Sequence, residues 1–227
     1  LGVELRPNRR LGRDFSLSDL KQQGFEAVFL GIGAHKSREL AIEGVQNDGV
    51  LRAIEFLLNV NLGFRVTLGR KVVVIGGGNV AVDVARSVFR LGAKKVEIYY
   101  RRSRNEMPAI PEEVEGAIQE GVKIHFLASP LKIGGRGGRV AEMECVRMKL
   151  GEPDRSGRRK PIPIGGSNFK VQTDIIIAAI GQRVDRKALR GLDTNQDGTV
   201  RINPGTGETN LKGVFAGGDL VRGPGWA

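Results

Sequence analysis

Residues 71–86, KVVVIGGGNVAVDVAR, place a strand, a tight turn and a helix in direct succession. Residues 72–75 are all apolar, which suits a strand covered on both faces. Three glycines, 76–78, end that run, and apolar residues at helical spacing follow them. The order matches G-x-G-x-x-G/A, with Gly76 and Gly78 in the first two glycine places and Ala81 in the third. Gly76 permits the sharp turn, and Gly78 lets main chain approach a pyrophosphate with no Cβ between them. Ala81 is small enough for the helix to pack on the strand, and the helix N-terminus points unpaired N–H groups at the anion. The pattern predicts dinucleotide binding. The plainer alternative is a glycine-rich turn between packed elements.

The sequence on either side extends this unit. A helix is expected from Asn79 to about Leu91, with Ala81, Val84, Ala85, Val88 and Leu91 facing inward and Gly92 ending it. Residues 96–100 read as the next strand, 111–120 as a helix with Pro111 in its first turn, and 122–127 as a third strand. The resulting β-α-β-α-β order predicts an α/β, three-layer Rossmann-like parallel sheet, doubly wound with right-handed crossovers. From Arg139 the period falls to two, predicting an antiparallel β-meander, with 134–138 as a flexible turn, 151–166 as a long hairpin loop and 167–172 as a return strand. Residues 175–180 read as a central parallel strand. Upstream, 14–24 read as a short helix capped by Ser16 or Ser18, 27–30 as a strand, and 49–62 as a second helix.

One internal echo bears on domain organisation. EAVFLGIGA at 26–34 resembles DIIIAAIGQ at 174–182, 148 positions on. Both are an acidic residue, an apolar strand, then Ile-Gly. A second dinucleotide fold interrupted by the glycine-motif unit would place them so, although two ordinary buried strands would look the same. The expected divisions are 1–66 as part of an FAD-binding domain, 67–182 as the nucleotide unit, and 183–227 as the return of the first domain. The chain opens on Leu, which suggests a piece of a longer protein.

Composition removes other classes. The single cysteine, Cys145, rules out an internal disulfide framework and any cysteine-ligated cluster within the chain, and a reducing cytoplasmic setting is the default. No apolar run approaches the roughly 18 residues of a membrane span. Net charge is +11, but the aromatic share of 5% does not interleave with the basic clusters at 6–13, 101–104 and 155–160, so nucleic-acid binding is not expected. His35 and His125 show no nucleophile or carboxylate constellation, so no catalytic residue is assigned. Residues 193–198, DTNQDG, imitate the start of a calcium loop, but the twelfth place holds Pro204 where a bidentate Glu is needed, and no metal site is expected.

The cofactor choice rests on the end of the second strand. An NAD site has a carboxylate there, about 20 residues past the motif, to accept from the ribose 2′-OH. This chain has Arg101 and Arg102 instead, with Arg101 at 23 positions beyond Gly78. Two guanidiniums suit a 2′-phosphate, which favours NADPH over NADH. The alternative is that one or both arginines are simply solvated at a strand end.

Taken in order, GGGNVAVDVAR, RLGAKKVEIYYRRSRNEMPA, DIIIAAIGQ and GVFAGGD resemble the glutamate synthase small subunit and its relatives across essentially the whole chain. The resemblance implies two nested dinucleotide-binding domains, one for FAD and one for NADPH. It implies that Gly78, Asn79, Val80 and Ala81 contact the NADPH pyrophosphate, that Arg101 and Arg102 hold the 2′-phosphate, and that Ile180 and Gly181 pass near the nicotinamide. It also implies that Gly31 and Gly33 lie along the FAD side and that Asp219 bonds the FAD ribityl chain. The activity implied is hydride transfer from NADPH to FAD and onward through iron–sulfur centres to the large glutamate synthase subunit or another electron-accepting subunit. The alternative is a non-catalytic dinucleotide-binding sensor or interaction module on the same fold. The FAD glycine motif and the cysteine clusters of such proteins are absent from these residues, and the helix expected after GVFAGGD is cut off. NADPH is therefore expected to bind within this chain, and FAD in the intact protein.

Overall fold

The computed structural model describes residues 2–154 and 157–224. In chain order the elements are α1 (Leu17–Gln22), β1 (Val28–Leu30), β2 (Lys36–Ser37), β3 (Val50–Arg52), α2 (Ala53–Asn61), β4 (Lys71–Ile75), α3 (Asn79–Arg90), β5 (Lys95–Tyr100), α4 (Pro111–Gln119), β6 (Lys123–Phe126), β7 (Ala128–Arg136), β8 (Arg139–Pro153), β9 (Arg159–Gln172), β10 (Ile175–Ala178), β11 (Gln182–Arg183), β12 (Val214–Ala216) and α5 (Asp219–Arg222). The chain divides into a central unit, residues 37–181, and a flanking unit, residues 1–36 with 182–227. Residues 37–66 thus fall in the central unit, whereas the sequence suggested a boundary at 66. The reason is pairing: Val50–Arg52 lies against β10, and α2 packs on α3.

The central unit has three layers. Its middle is a parallel sheet of order β3-β10-β4-β5-β6. Strand alternation sorts the side chains between the two faces. Val72, Val74, Val96, Ile98, Ile175 and Ile177 meet α2, α3 and α4 in one core. Val73, Ile75, Tyr99 and Ile176 face the other way, onto Ile133, Met143, Cys145 and Val171 of the antiparallel sheet β7-β8-β9. All three helices therefore share one face, which corrects the doubly wound expectation. The second face is closed by antiparallel strands whose inward residues alternate with solvated charges.

Several boundaries differ from the sequence reading. Residues 50–52 are a strand, so the expected helix over 49–62 begins at Ala53. The stretch 151–166 is largely paired: β8 runs to Pro153 and β9 starts at Arg159, leaving a short tip in place of a long loop. Residues 134–136 extend β7, and only Gly137 and Gly138 form the left-handed turn. A helical turn does follow GVFAGGD, over Asp219–Arg222. Ser16 caps α1 in a capping box with Asp19. Asp174, the acidic residue of the second echo segment, accepts from Lys71 N at 2.9 Å and so ties the start of β10 to the start of β4.

The flanking unit is built on the parallel pair β1–β12, with Leu30 opposite Ala216. Its core gathers Leu17, Leu30, Val184, Val200, Val214 and Leu220. In the turn at 193–199, Asp197 accepts from Thr199 N and Oγ1. Asp185 is 6% exposed. Burial opposes its charge, but Lys36 at 3.0 Å, Lys187 N and Arg10 at 3.3 Å outweigh that cost and hold its pKa below the ordinary 3.8. A depressed folded pKa contributes stability that is present above the unfolded value and is lost as pH falls through the folded one. Asp185→Asn should therefore cost about 1–2 kcal/mol in urea denaturation at pH 7, because Lys36 and Arg10 can return to water. The gap to the parent should close as pH drops below 3.8.

Candidate functional site

Three loops meet at the carboxyl edge of the parallel sheet, following the neighbouring strands β10, β4 and β5. They carry Ile180 and Gly181, residues 76–78, and Arg101 and Arg102. The middle loop sets the geometry. Gly76 has φ +150, and a Cβ there would lie 2.3 Å from the Ala179 carbonyl oxygen, so both its conformation and its space demand glycine. At Gly77 a Cβ would strike the Tyr100 ring at 2.4 Å. Gly78 differs: its backbone is extended (φ −91, ψ 175) and a Cβ would meet nothing within 4 Å. Glycine at 78 is thus not required by the protein's own packing, which fits a position where something else comes close.

Gly78 is the N-cap of α3, with no side-chain cap and no acidic residue in the first turn. Among the described residues, the amides of Gly77, Gly78, Asn79 and Val80 meet no acceptor. These donors and the positive end of a twelve-residue helix face the open side of Gly78. Ala81 is fully buried, as the motif requires, and Val80 packs against the same core. The Asn79 side chain is occupied elsewhere: its Oδ1 accepts from Ile110 N at 2.8 Å.

Sequence reasoning missed the clip that holds this turn. Ala109 N donates to Gly77 O at 3.2 Å beside the Asn79–Ile110 bond. Tyr100 lies over Gly77 and donates its hydroxyl to Glu106 O at 2.7 Å. Residues 104–110 are thereby fastened to the glycine turn. A polar Asn directly after the glycines was the available signal.

The arginine pair divides. Arg101 is exposed; partial burial, and behind it the charges of Arg102 and Arg158, push its pKa down. Arg102 is 3% exposed, with its Nε donating to Arg159 O at 2.8 Å and its Nη2 to Asp154 Oδ2 at 2.5 Å. That burial counts against the expectation that both guanidiniums are open to a phosphate. At the third loop Gly181 has φ +107 and its carbonyl accepts from Arg38 N at 2.9 Å, while Ile180 is 37% exposed.

In the flanking unit, Gly31 and Gly33 leave the end of β1 while Gly217, Gly218 and Asp219 leave the end of β12 beside it, joined by Gly217 N to Leu30 O at 3.2 Å. Gly33 and Gly218 both have φ +66 with open space at the Cβ position. Asp219 is half-buried at the first position of α5.

His125 does face a carboxylate, contrary to expectation. Its Nε2 lies 3.0 Å from Glu97 Oε1, and its ring stacks on Tyr99 at 4.5 Å. Burial works against the Glu97 charge, yet His125 and Lys95 hold its pKa below normal. Among the described residues no nucleophile is bonded to the pair. The nearby core thiol of Cys145 is pushed up to about 12 by burial, so thiolate is disfavoured. Among the described residues no cluster of His, Cys, Asp or Glu could hold a metal ion, and no helix is long and apolar enough to cross a membrane.

An open helix N-terminus beyond a parallel strand is an arrangement at which α/β proteins can hold phosphate groups, and the flanking unit has a second parallel strand pair. The chain belongs to the pyridine nucleotide-disulphide oxidoreductase family, whose model matches residues 7–227. It is 44% identical to the NADP(+)-dependent formate dehydrogenase subunit beta of Moorella thermoacetica, over 98% of this chain and 32% of that protein. It is 37% identical to the glutamate synthase [NADPH] small chain of Escherichia coli, over 98% of this chain and 51% of that one. The chain thus spans a third to a half of the length of these two relatives. Its fold is similar to that of Mycobacterium tuberculosis FprA solved with NADPH, at TM-score 0.78 and 22% identity, covering 97% of this chain and 63% of the other.

Two substitutions separate folding from the site's own geometry. Gly76→Ala should cost about 3 kcal/mol or more, since backbone and neighbour both resist the methyl group. Asn79→Ala strands the Ile110 amide and should cost about 1–2 kcal/mol. Chemical denaturation checks both, and amide exchange should show residues 104–110 opening in the second variant.

Proposed function

We propose that this chain is the NADPH-reading part of a flavin-dependent oxidoreductase, in which hydride passes from NADPH to FAD and electrons continue to an iron–sulfur-bearing partner. The observation that carries the reading is Gly78: an open face, four unpaired amides and a helix N-terminus converge where a diphosphate would lie. The residues fit the nucleotide. Main-chain N–H groups of residues 77–80 hold the diphosphate, Ala81 keeps α3 close to the sheet, and Arg101 meets the 2′-phosphate. Ile180 and Gly181 flank the nicotinamide end of the same sheet edge. For FAD, Gly31 and Gly33 give close main-chain approach, and Asp219 accepts from the ribityl hydroxyls, with the rest of that site supplied by the intact protein.

The nicotinamide and flavin carry the redox chemistry when bound. This chain's residues position them and set which nucleotide is chosen. The relatives named as beta subunit and small chain support a multi-subunit assembly, and the large glutamate synthase subunit or a similar electron-accepting subunit is the partner we assign. A cytoplasmic setting is consistent with the single buried cysteine.

Titration of the intact protein with NADPH and NADH tests the reading. Gly78→Val should leave the melting temperature unchanged, because the site is open, yet abolish measurable binding of both nucleotides. Arg101→Ala should weaken NADPH by roughly ten- to a hundredfold, the worth of a charge-assisted bond, and leave NADH unchanged. If both variants bind as the parent does, the reading is wrong.

A further inference from the structure

Strand β5 ends on Tyr100, and the next residue is Arg101. The chain leaves the sheet there and comes back to the glycine turn at residues 109 and 110. Residues 101–108 are therefore a loop fastened at both ends to one turn. At the leaving end the Tyr100 ring rests on Gly77, where a Cβ would lie 2.4 Å from its Cδ2 and 2.5 Å from its Cε2. At the returning end Ala109 N donates to Gly77 O at 3.2 Å and Ile110 N to Asn79 Oδ1 at 2.8 Å. Tyr100 also reaches across the loop. Its hydroxyl donates to Glu106 O at 2.7 Å, and Ser103 Oγ donates to the Glu106 carboxylate. Tyr100 is buried, where a hydrogen bond meets little competition from water. The three arginines of the loop are used differently. Arg102 is buried against Asp154 and Arg159 O, and Arg104 pairs with Glu115 of α4. Among the described residues the Arg101 side chain, exposed and adjoining Tyr100, makes no hydrogen bond and no ion pair.

We propose that Tyr100 is the positioning residue of the 2′-phosphate site. Its ring registers the loop against the diphosphate-binding turn, and its hydroxyl, with Ser103, clasps Glu106 so that Arg101 stands at a set spacing from the amides of residues 77–80. The inference rests on the NADPH reading above and adds the residue through which its two phosphate contacts are held in step. In NADPH the diphosphate and the 2′-phosphate hang on one ribose, so their separation is narrowly limited. A protein gains both contacts together only when its donors already have that separation, and a loose loop would lose part of the Arg101 contact to the cost of ordering it. NADH carries no 2′-phosphate and makes no use of the spacing. Loss of the clasp therefore falls on NADPH.

The test titrates the intact protein carrying Y100F, S103A, R101A or Y100F/R101A with NADPH, NADH, 2′,5′-ADP and 5′-AMP. Phenylalanine keeps the ring on Gly77 and removes only the hydroxyl. Y100F should weaken NADPH and 2′,5′-ADP roughly three- to tenfold, the worth of one hydrogen bond, and leave NADH and 5′-AMP within about twofold. S103A should move the NADPH-to-NADH ratio the same way by less, and its ratio decides the matter if Y100F does not fold. On the R101A background Y100F should add no more than about twofold, because the guanidinium it positions is gone. A merely structural tyrosine would weaken all four ligands alike on both backgrounds. Equal loss of NADPH and NADH in Y100F, or an undiminished effect of Y100F on the R101A background, overturns the proposal. A ratio moved by R101A but not by Y100F rejects this inference alone. A ratio unmoved by R101A rejects the role of Arg101 in the NADPH reading, and this inference with it.

Discussion

The absence of a side chain at Gly76 governs the whole carboxyl edge of the central sheet. Strands β10, β4 and β5 lie side by side, and the chain must turn out of β4 while the end of β10 passes directly across it. Only a residue with φ near +150 and no Cβ can make that turn under the Ala179 carbonyl. Because the turn is that tight, α3 begins within four residues of the strand end, and its first amides emerge at the sheet edge instead of being taken up by a connecting loop. Close packing of α3 then follows from Ala81, Val84, Ala85 and Val88, all fully buried. The donors are exposed by the same packing that makes the core.

Leaving four amides unpaired has a cost, and the surrounding structure offsets it by holding the turn rigid. Tyr100 covers Gly77, Ala109 and Ile110 bond to Gly77 and Asn79, and Arg86 on α3 pairs with Glu113 and Glu120 around α4. None of these groups faces the open side of Gly78. They make the donor array preorganised, so that a bound diphosphate need not order it. The open and the supported sides of the turn are chemically distinct, and a substitution on either should betray which side it touched.

How much of this was legible in the sequence depended on range. The β4–turn–α3 unit is local: four apolar residues, three glycines and a 3.6-residue stripe lie within twenty positions, so the pattern is self-contained. Strand β3 was hidden because Leu51 and Ile54 satisfy a helical stripe as readily as the end of a strand, and only pairing with β10, more than a hundred positions away, settles it. The outer parts of β8 and β9 were hidden for another reason. Gly151, Pro153, Pro161 and Pro163 signal a loop, yet a two-stranded extension with register shifts at Val146/Met148 and Leu150/Pro153 accommodates them. The arginine pair was legible as charge but not as geometry. Arg102 is buried because Asp154, 52 positions later, meets it, and no spacing rule reaches that far.

Burial of Arg102 also changes what the high net charge means. The basic clusters around 101–104 and 155–160 are separate in sequence, yet the Arg102–Asp154 pair draws Arg158 and Arg159 toward the end of β5. Pairing with one carboxylate neutralises one guanidinium there, while Arg159 donates to the Gly151 and Leu150 carbonyls at 3.3 Å and Arg104 pairs with Glu115. Arg101 stays exposed beside them, its pKa lowered by partial burial and by the charge of Arg102. A cluster of this kind differs from a solvated basic surface of equal charge, whose members are spread out and screened. Much of the charge counted in the sequence thus holds the β8–β9 tip to the end of β5.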